Sequence, residues 1–148
     1  MKVYVASSWR NPHQQKIVAL LRHCRHEVYD FRNPPNGSGF SWQQLGFPEQ
    51  PLGERRAWNA ATLRQALEHP IAIAGHAADL QALDECDACV YVTPCGRSAS
   101  WEIGYAMAKG KFCFVLQLEE EEPELMLRGA SILGSLAELV DVFARGQL

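Results

Sequence analysis

Residues 87–111 read DACVYVTPCGRSASWEIGYAMAKGK, and the fold turns on how they are taken. The first six, DACVYV, are a near-continuous apolar run closed by Pro94 and Gly96. That is the pattern of a strand covered on both faces in a parallel sheet, not of one with a wet side. Small residues follow, and Ile103, Ala106 and Met107 then recur at helical spacing up to Gly110. A glycine there takes the left-handed conformation that closes a helix. A strand turning directly into a helix is half of a βαβ unit, and KFCFVLQ (111–117) supplies the strand that completes it.

Working outward, KVYVA (2–6) is a short β-rich run. After Ser7, Ser8, Trp9 and Arg10 come Asn11 and Pro12, read as a helix cap with proline in the first helical position. Ile17, Leu20, Leu21 and Cys24 form the buried stripe of that helix. EVYDF (27–31) reads as a second strand. Residues 32–53 are rich in proline, glycine and polar side chains but carry Phe40, Trp42 and Phe47, which suits a functional loop and equally a loop pinned by its rings. From Glu54 to Cys86 the pattern is helical with a break at Pro70. Ile73, Ala77, Leu80 and Leu83 are its expected buried stripe, with Asp79 on the flank. A short fifth strand is expected over 131–133, then a helix carrying Leu136, Leu139, Val140 and Phe143.

Strands alternating with helices predict one α/β domain over 1–148, a doubly wound, flavodoxin- or Rossmann-like parallel sheet of about five strands. In such sheets ligands bind beyond the carboxyl ends of the strands, where the strand order reverses. In the flavodoxin-like order that point lies between the first and third strands. The segments leaving those strands are 7–10 and 93–102.

With 148 residues, 47% hydrophobic and 21% charged, the chain is expected to fold alone as a globule. A net charge of −3 and no basic stripe argue against polymeric nucleic acid as a partner. Nowhere do 18 apolar residues run together, and MKVYVASSWR lacks the layout of a secretion signal, so a cytoplasmic protein without membrane contact is expected. Five cysteines, an odd number in apolar contexts, read as free thiols. Cys86 and Cys89 have zinc-like spacing but no second pair to complete four ligands, so neither metal nor cofactor is expected. The acidic run EEEEP (119–123) reads as a solvated loop.

The chemistry concentrates in 94–105. Small residues on a strand-to-helix turn expose backbone N–H groups, and with the positive end of the helix dipole these favour anions. The dipole also keeps a nearby carboxylate, Glu102, ionised, as attack on an anomeric carbon requires. Cleavage of a ribosyl C1′–N bond passes through an oxocarbenium-like state that a carboxylate stabilises or captures covalently. A glutamate here also simply satisfies its own helix. Gly96-Arg97-Ser98-Ala99-Ser100 approaches a nucleophile elbow, but its last glycine is replaced and no histidine follows Ser98.

KVYVASSWRN near the start, Asp79-Leu80 ahead of Cys86-Asp87, and PCGRSASWEIGYAMAKGK (94–111) together resemble the nucleoside 2-deoxyribosyltransferase-like superfamily, which includes nucleoside 5′-monophosphate N-glycosidases. The match runs in order through most of residues 2–117. The resemblance implies a flavodoxin-like fold with Glu102 as nucleophile. It implies Asp79 as the residue that positions the sugar or assists proton transfer to the base. It further implies substrate contacts from Ser7, Ser8 and Arg10, and a homo-oligomer, in the simplest case a dimer. The transferases carry an acid at the end of the third strand, where this chain has Thr93-Pro94-Cys95. Arg97, Ser98 and Ser100, with Gly96 opening the helix, can instead hold a 5′-phosphate, which favours the hydrolase branch.

His76, three residues before Asp79, can assist a leaving base or serve structure alone. Trp9, Phe40 and Trp42 can stack on a base or pack locally. Tyr105, at i+3 from Glu102, can hydrogen-bond the carboxylate. The expected function is cleavage of an N-glycosidic bond in a nucleoside or its monophosphate, by hydrolysis or transfer. The alternatives are a nucleotide-binding module without turnover, motivated by the missing strand-end acid, and cleavage of NAD.

Overall fold

The computed structural model describes residues 1–35, 37, 39–46, 59–122 and 124–144. Five strands, β1 (Lys2–Ala6), β2 (Glu27–Tyr29), β3 (Ala88–Val92), β4 (Phe112–Leu116) and β5 (Ser131–Leu133), form one sheet in the order β2-β1-β3-β4-β5. Every neighbouring pair is parallel. The helices among the described residues are α1 (Gln14–His23), α2 (Ala60–Leu67), α3 (Pro70–Glu85), α4 (Arg97–Ala108) and α5 (Leu136–Ala144). The strand order reverses between β1 and β3, so the switch point falls where the flavodoxin-like order puts it.

Period-2 alternation sorts the core into two layers. Val3 and Val5 of β1, Val90 and Val92 of β3, and Phe114 and Leu116 of β4 pack with Ile17, Val18 and Leu21 of α1 and Leu139 and Phe143 of α5. Tyr4, Ala6, Cys89, Tyr91, Cys113 and Val115 point the other way, onto Ala99, Ile103 and Ala106 of α4 and Leu83 at the end of α3. Burying each large side chain contributes about 1.5–3 kcal/mol. All five residues of β3 are buried, as DACVYV demands of a central strand. Past the end of α4, Gly110 has φ +70, the left-handed closure that its place in the sequence required.

Three local readings are corrected. Helix α1 begins at Gln14, not at Pro12. The Asn11 Oδ1 does accept from the His13 and Gln14 amides, the bonds expected of the cap, but the regular helix sets in only after them. Strand β2 stops at Tyr29, because the Asp30 carboxylate is buried and accepts from Gln14 Nε2 at 2.7 Å and Gln15 Nε2 at 2.9 Å. In α3 the expected stripe holds only toward its end: Leu83 is buried and Leu80 half-buried, but Ile73 is 57% exposed and Ala77 is exposed, whereas Ala72 is buried. Its sequence, PIAIAGHAADLQALDE, is apolar on nearly every side, so spacing had no single face to select.

The chain forms two compact units, residues 1–30 with 82–148, and residues 31–81. In the second, Ser41 caps a 3-10 turn over Trp42–Leu45 in a reciprocal box with Gln44, and Asn59 caps α2 in another with Thr62. The Phe40 and Trp42 rings meet edge to face at 4.9 Å. A Cβ on Gly75 of α3 would lie 2.8 Å from the Phe40 Cβ, so glycine there lets the ring sit close. Phe40 therefore packs within its own unit. Phe47 and residues 54–58, the expected start of the helical stretch, lie outside the described residues.

Candidate active site

The segments leaving β1 and β3 are stitched together at the switch point. Ala6 stands opposite Tyr91 in the sheet, and one residue further the buried Ser7 donates through Oγ to the Val92 carbonyl at 2.9 Å. Asn11 reaches the same carbonyl through Nδ2 at 2.9 Å and also donates to the Pro94 carbonyl at 3.0 Å. Ser8 Oγ accepts from the Arg10 amide, and a Cβ placed on Gly96 would lie 3.9 Å from the Ser8 Cβ. Trp9 and Arg10 stay exposed on the rim.

Gly96, extended at φ −97 and ψ 173, is the residue before α4 and offers no side chain to cap it. The first turn presents Arg97 and Ser98 to solvent, and Ser100 Oγ lies 3.2 Å from the Tyr91 hydroxyl. Ala99 and Ile103 are sunk in the core, which turns Glu102 onto the flank of the buried face. Glu102 is half-buried, with one carboxylate oxygen shielded from solvent.

Cys95 joins the two sides. Its Sγ donates to the Val92 carbonyl at 2.8 Å. Burial, above all, pushes its thiol up to about 12; Glu121 and Glu102 add to the rise, and hydrogen bonds with Tyr91 and Ser7 oppose it. Ser7 and the Glu102 charge thus act on one thiol. Burial likewise pushes the Tyr91 hydroxyl up to about 12, against the hydrogen bond to Ser100. Cys95 is a neutral thiol at physiological pH, so it is neither a thiolate nucleophile nor a replacement for a strand-end acid.

The segments leaving β1 and β3 carry Ser7, Ser8, Gly96 and Glu102 buried or half-buried, and Trp9, Arg10, Arg97, Ser98 and Ser100 exposed. Asp79 is half-buried on α3 in the unit 31–81, and His76 is exposed on that helix. Tyr105 turns elsewhere: its hydroxyl donates to Asp84 Oδ1 at 2.8 Å and its ring stacks with Trp101. The acidic run is exposed, as expected of a loop, but Glu119 Oε1 lies 2.8 Å from His13 Nε2 ahead of α1. Sequence reasoning missed Asn11 and Cys95 as members of the site. The signal was present in an asparagine beside the first strand's end, but it was spent on the helix cap. Among the described residues no three His, Cys, Asp or Glu side chains gather in a way that could hold a metal ion.

A five-stranded parallel sheet in this order, with its polar groups gathered at the reversal, defines an α/β protein of flavodoxin-like fold. The chain is similar in structure to a 2-deoxyribosyltransferase of Bacillus psychrosaccharolyticus, with a TM-score of 0.55 and 19% identity over 94% of this chain and 90% of that one. It is also similar to the CMP N-glycosidase of Clostridium botulinum, with a TM-score of 0.50 and 17% identity over 91% and 88% of the two chains. Both are of the kinds that the motif over 94–111 resembles, and at these identities the likeness establishes the shared fold. No family model and no curated protein sequence matches the chain.

Proposed function

We propose that this protein cleaves the N-glycosidic bond of a nucleoside or nucleoside 5′-monophosphate, with Glu102 as the nucleophile. The observation that carries the reading is the Glu102 carboxylate, half-buried in the early turns of α4 with one oxygen shielded from solvent, on the helix that follows β3 at the β1–β3 reversal. One Glu102 oxygen attacks C1′ and forms a glycosyl ester. The C1′–N bond breaks, and its electron pair leaves on the base, which takes up a proton. Water, or a second base, then attacks C1′ and releases the carboxylate. Asp79 is the second acid of the scheme, orienting the sugar or moving the proton.

Ser7, Ser8, Trp9 and Arg10 are assigned to the nucleoside. The uncapped start of α4, with Gly96, Arg97, Ser98 and Ser100, is assigned to a 5′-phosphate, because first-turn amides and a guanidinium favour a dianion. The test is chromatography of nucleosides and monophosphates incubated with the protein, with and without an added free base. Release of base from one of them, abolished by Glu102→Ala, is the expected result. Equal release by the variant rejects the assignment.

A second reading, nucleotide binding without turnover, draws on Thr93-Pro94-Cys95, where no acid stands and the thiol stays neutral. Saturable binding with no free base over hours would favour it. Release of nicotinamide from NAD in the same panel would select that substrate instead. The proposal includes a cytoplasmic homodimer, for which exposed Leu63, Leu67, Ile71 and Ile73 on α2 and α3 supply apolar surface, and sedimentation measures it. No helix among the described residues is long and apolar enough to cross a membrane.

A further inference from the structure

We infer that Asn11 is a positioning residue for the nucleophile, the clasp that sets the start of α4 against the segment leaving β1. The inference rests on the reading of Glu102 given above. Asn11 touches no part of the proposed substrate site with a free group: it is only 2% exposed, and its side chain uses every hydrogen-bonding capacity it has. Nδ2 donates to the Val92 and Pro94 carbonyls. Oδ1 accepts from the His13 and Gln14 amides at 2.7 and 3.1 Å. A buried amide satisfied on all four counts is held in one geometry, since losing any partner would leave a polar group stranded away from water.

What those partners belong to gives the residue its role. The two amides open α1, and the two carbonyls lie on either side of Thr93, where β3 passes into the turn before α4. One side chain therefore fixes the distance between the loop assigned to the nucleoside and the helix that carries Glu102. Two weaker struts brace the same turn, Cys95 Sγ on the Val92 carbonyl and Ser100 Oγ beside the Tyr91 hydroxyl. Val92 O receives Ser7, Asn11 and Cys95 together, three donors for two lone pairs. Of the three, the thiol is the weakest donor, so the load of holding the turn falls on Asn11 and Ser7.

The experiment compares wild type with Asn11→Asp and Asn11→Ser. The aspartate keeps the acceptor for the α1 amides and loses the donors. Serine keeps a short cap, adds no buried charge, and cannot span to both carbonyls; it decides the matter if the aspartate variant fails to fold. In the folded variant kcat for base release should fall on the order of 100-fold with KM within about threefold, as expected when a reacting group is misplaced by about an ångström. Amide hydrogen exchange should quicken by about tenfold or more at Thr93 and Ser100, whose amides bond to the Leu116 and Gly96 carbonyls on either side of the turn, while β4 amides keep their protection. Unchanged kcat in a folded variant, or protection lost evenly through the core, would overturn the inference. If wild type and Glu102→Ala release base equally, the catalytic reading fails on its own, and the exchange pattern still decides whether Asn11 holds the turn.

Discussion

Helices α4 and α3 are both rich in small and apolar residues, yet they take their places by different rules. In α4, Ala99, Ile103 and Ala106 at i, i+4 and i+7 are essentially inaccessible, and the polar residues fall on the remaining arc, so the helix has one possible orientation on β1 and β3. In α3, exposed Ile71 and Ile73 stand near buried Ala72, and the buried positions do not follow the apolar spacing. A helix with one apolar stripe specifies its own docking; one that is apolar nearly all round is oriented by whatever it meets.

That contrast also bears on the nucleophile proposed on α4. The packing that clamps Ile103 also fixes the rotation of the next residue back, so Glu102 is aimed by the core. The largest effect is accordingly expected at that carboxylate. Glu102→Gln, which keeps the volume and removes the charge, should lower base release by at least about 10³-fold in a variant with unchanged circular dichroism. The stability comparison comes next. Ile103→Ala should cost about 2–5 kcal/mol in urea denaturation, whereas Ile73→Ala should stay within about 0.5 kcal/mol of wild type. Equal costs would mean that the two helices are not held differently.

A third measurement carries the comparison to α5, which closes the opposite layer. The His26 ring meets Phe143 edge to face at 5.1 Å, and burial first, then the N-terminal ammonium, lowers its pKa from 6.5. A histidine held below its unfolded value favours the native state above 6.5 and costs stability as the pH falls through 6.5 toward the folded value. His26→Leu should flatten that acid-side slope in melting curves between pH 7 and 5; an unaltered slope would assign the loss to other groups. The smallest effect is expected on the outer face of α4. Tyr105→Phe removes only the exposed bond to Asp84, so kcat should stay within about twofold. The Tyr105 hydrogen bond, then Lys109, hold the Asp84 carboxyl below its usual 3.8, so any stability the bond adds is present above that value and lost as pH falls through the folded one. A large loss of turnover in this variant would place Tyr105 in the machinery after all.

Residues 87–117 were legible because each local signal agreed with the next: an unbroken apolar strand, a glycine turn, one helical stripe and a closing glycine. The start of α1 was misread because Asn11 caps it from outside the helix while also serving β3, and a sequence pattern assigns a residue one partner at a time. Strand β2 was read too long because Asp30 within EVYDF gives no sign that two glutamines will bury its carboxylate. Tyr105 shows the same limit. Its spacing from Glu102 allowed a contact, but Asp84, 21 residues earlier, took the hydroxyl.

By itself the sequence determined the alternation of strands and helices that makes a parallel sheet and the presence of a glutamate just inside the helix after β3, since each follows from periodicity and turn chemistry within a few neighbouring residues. Only the tertiary structure decided which groups meet there. Ser7, Asn11 and Cys95 converge on the Val92 carbonyl from positions up to 85 residues away, and a pairing across that distance is chosen by the strand order, which brings two loop ends together.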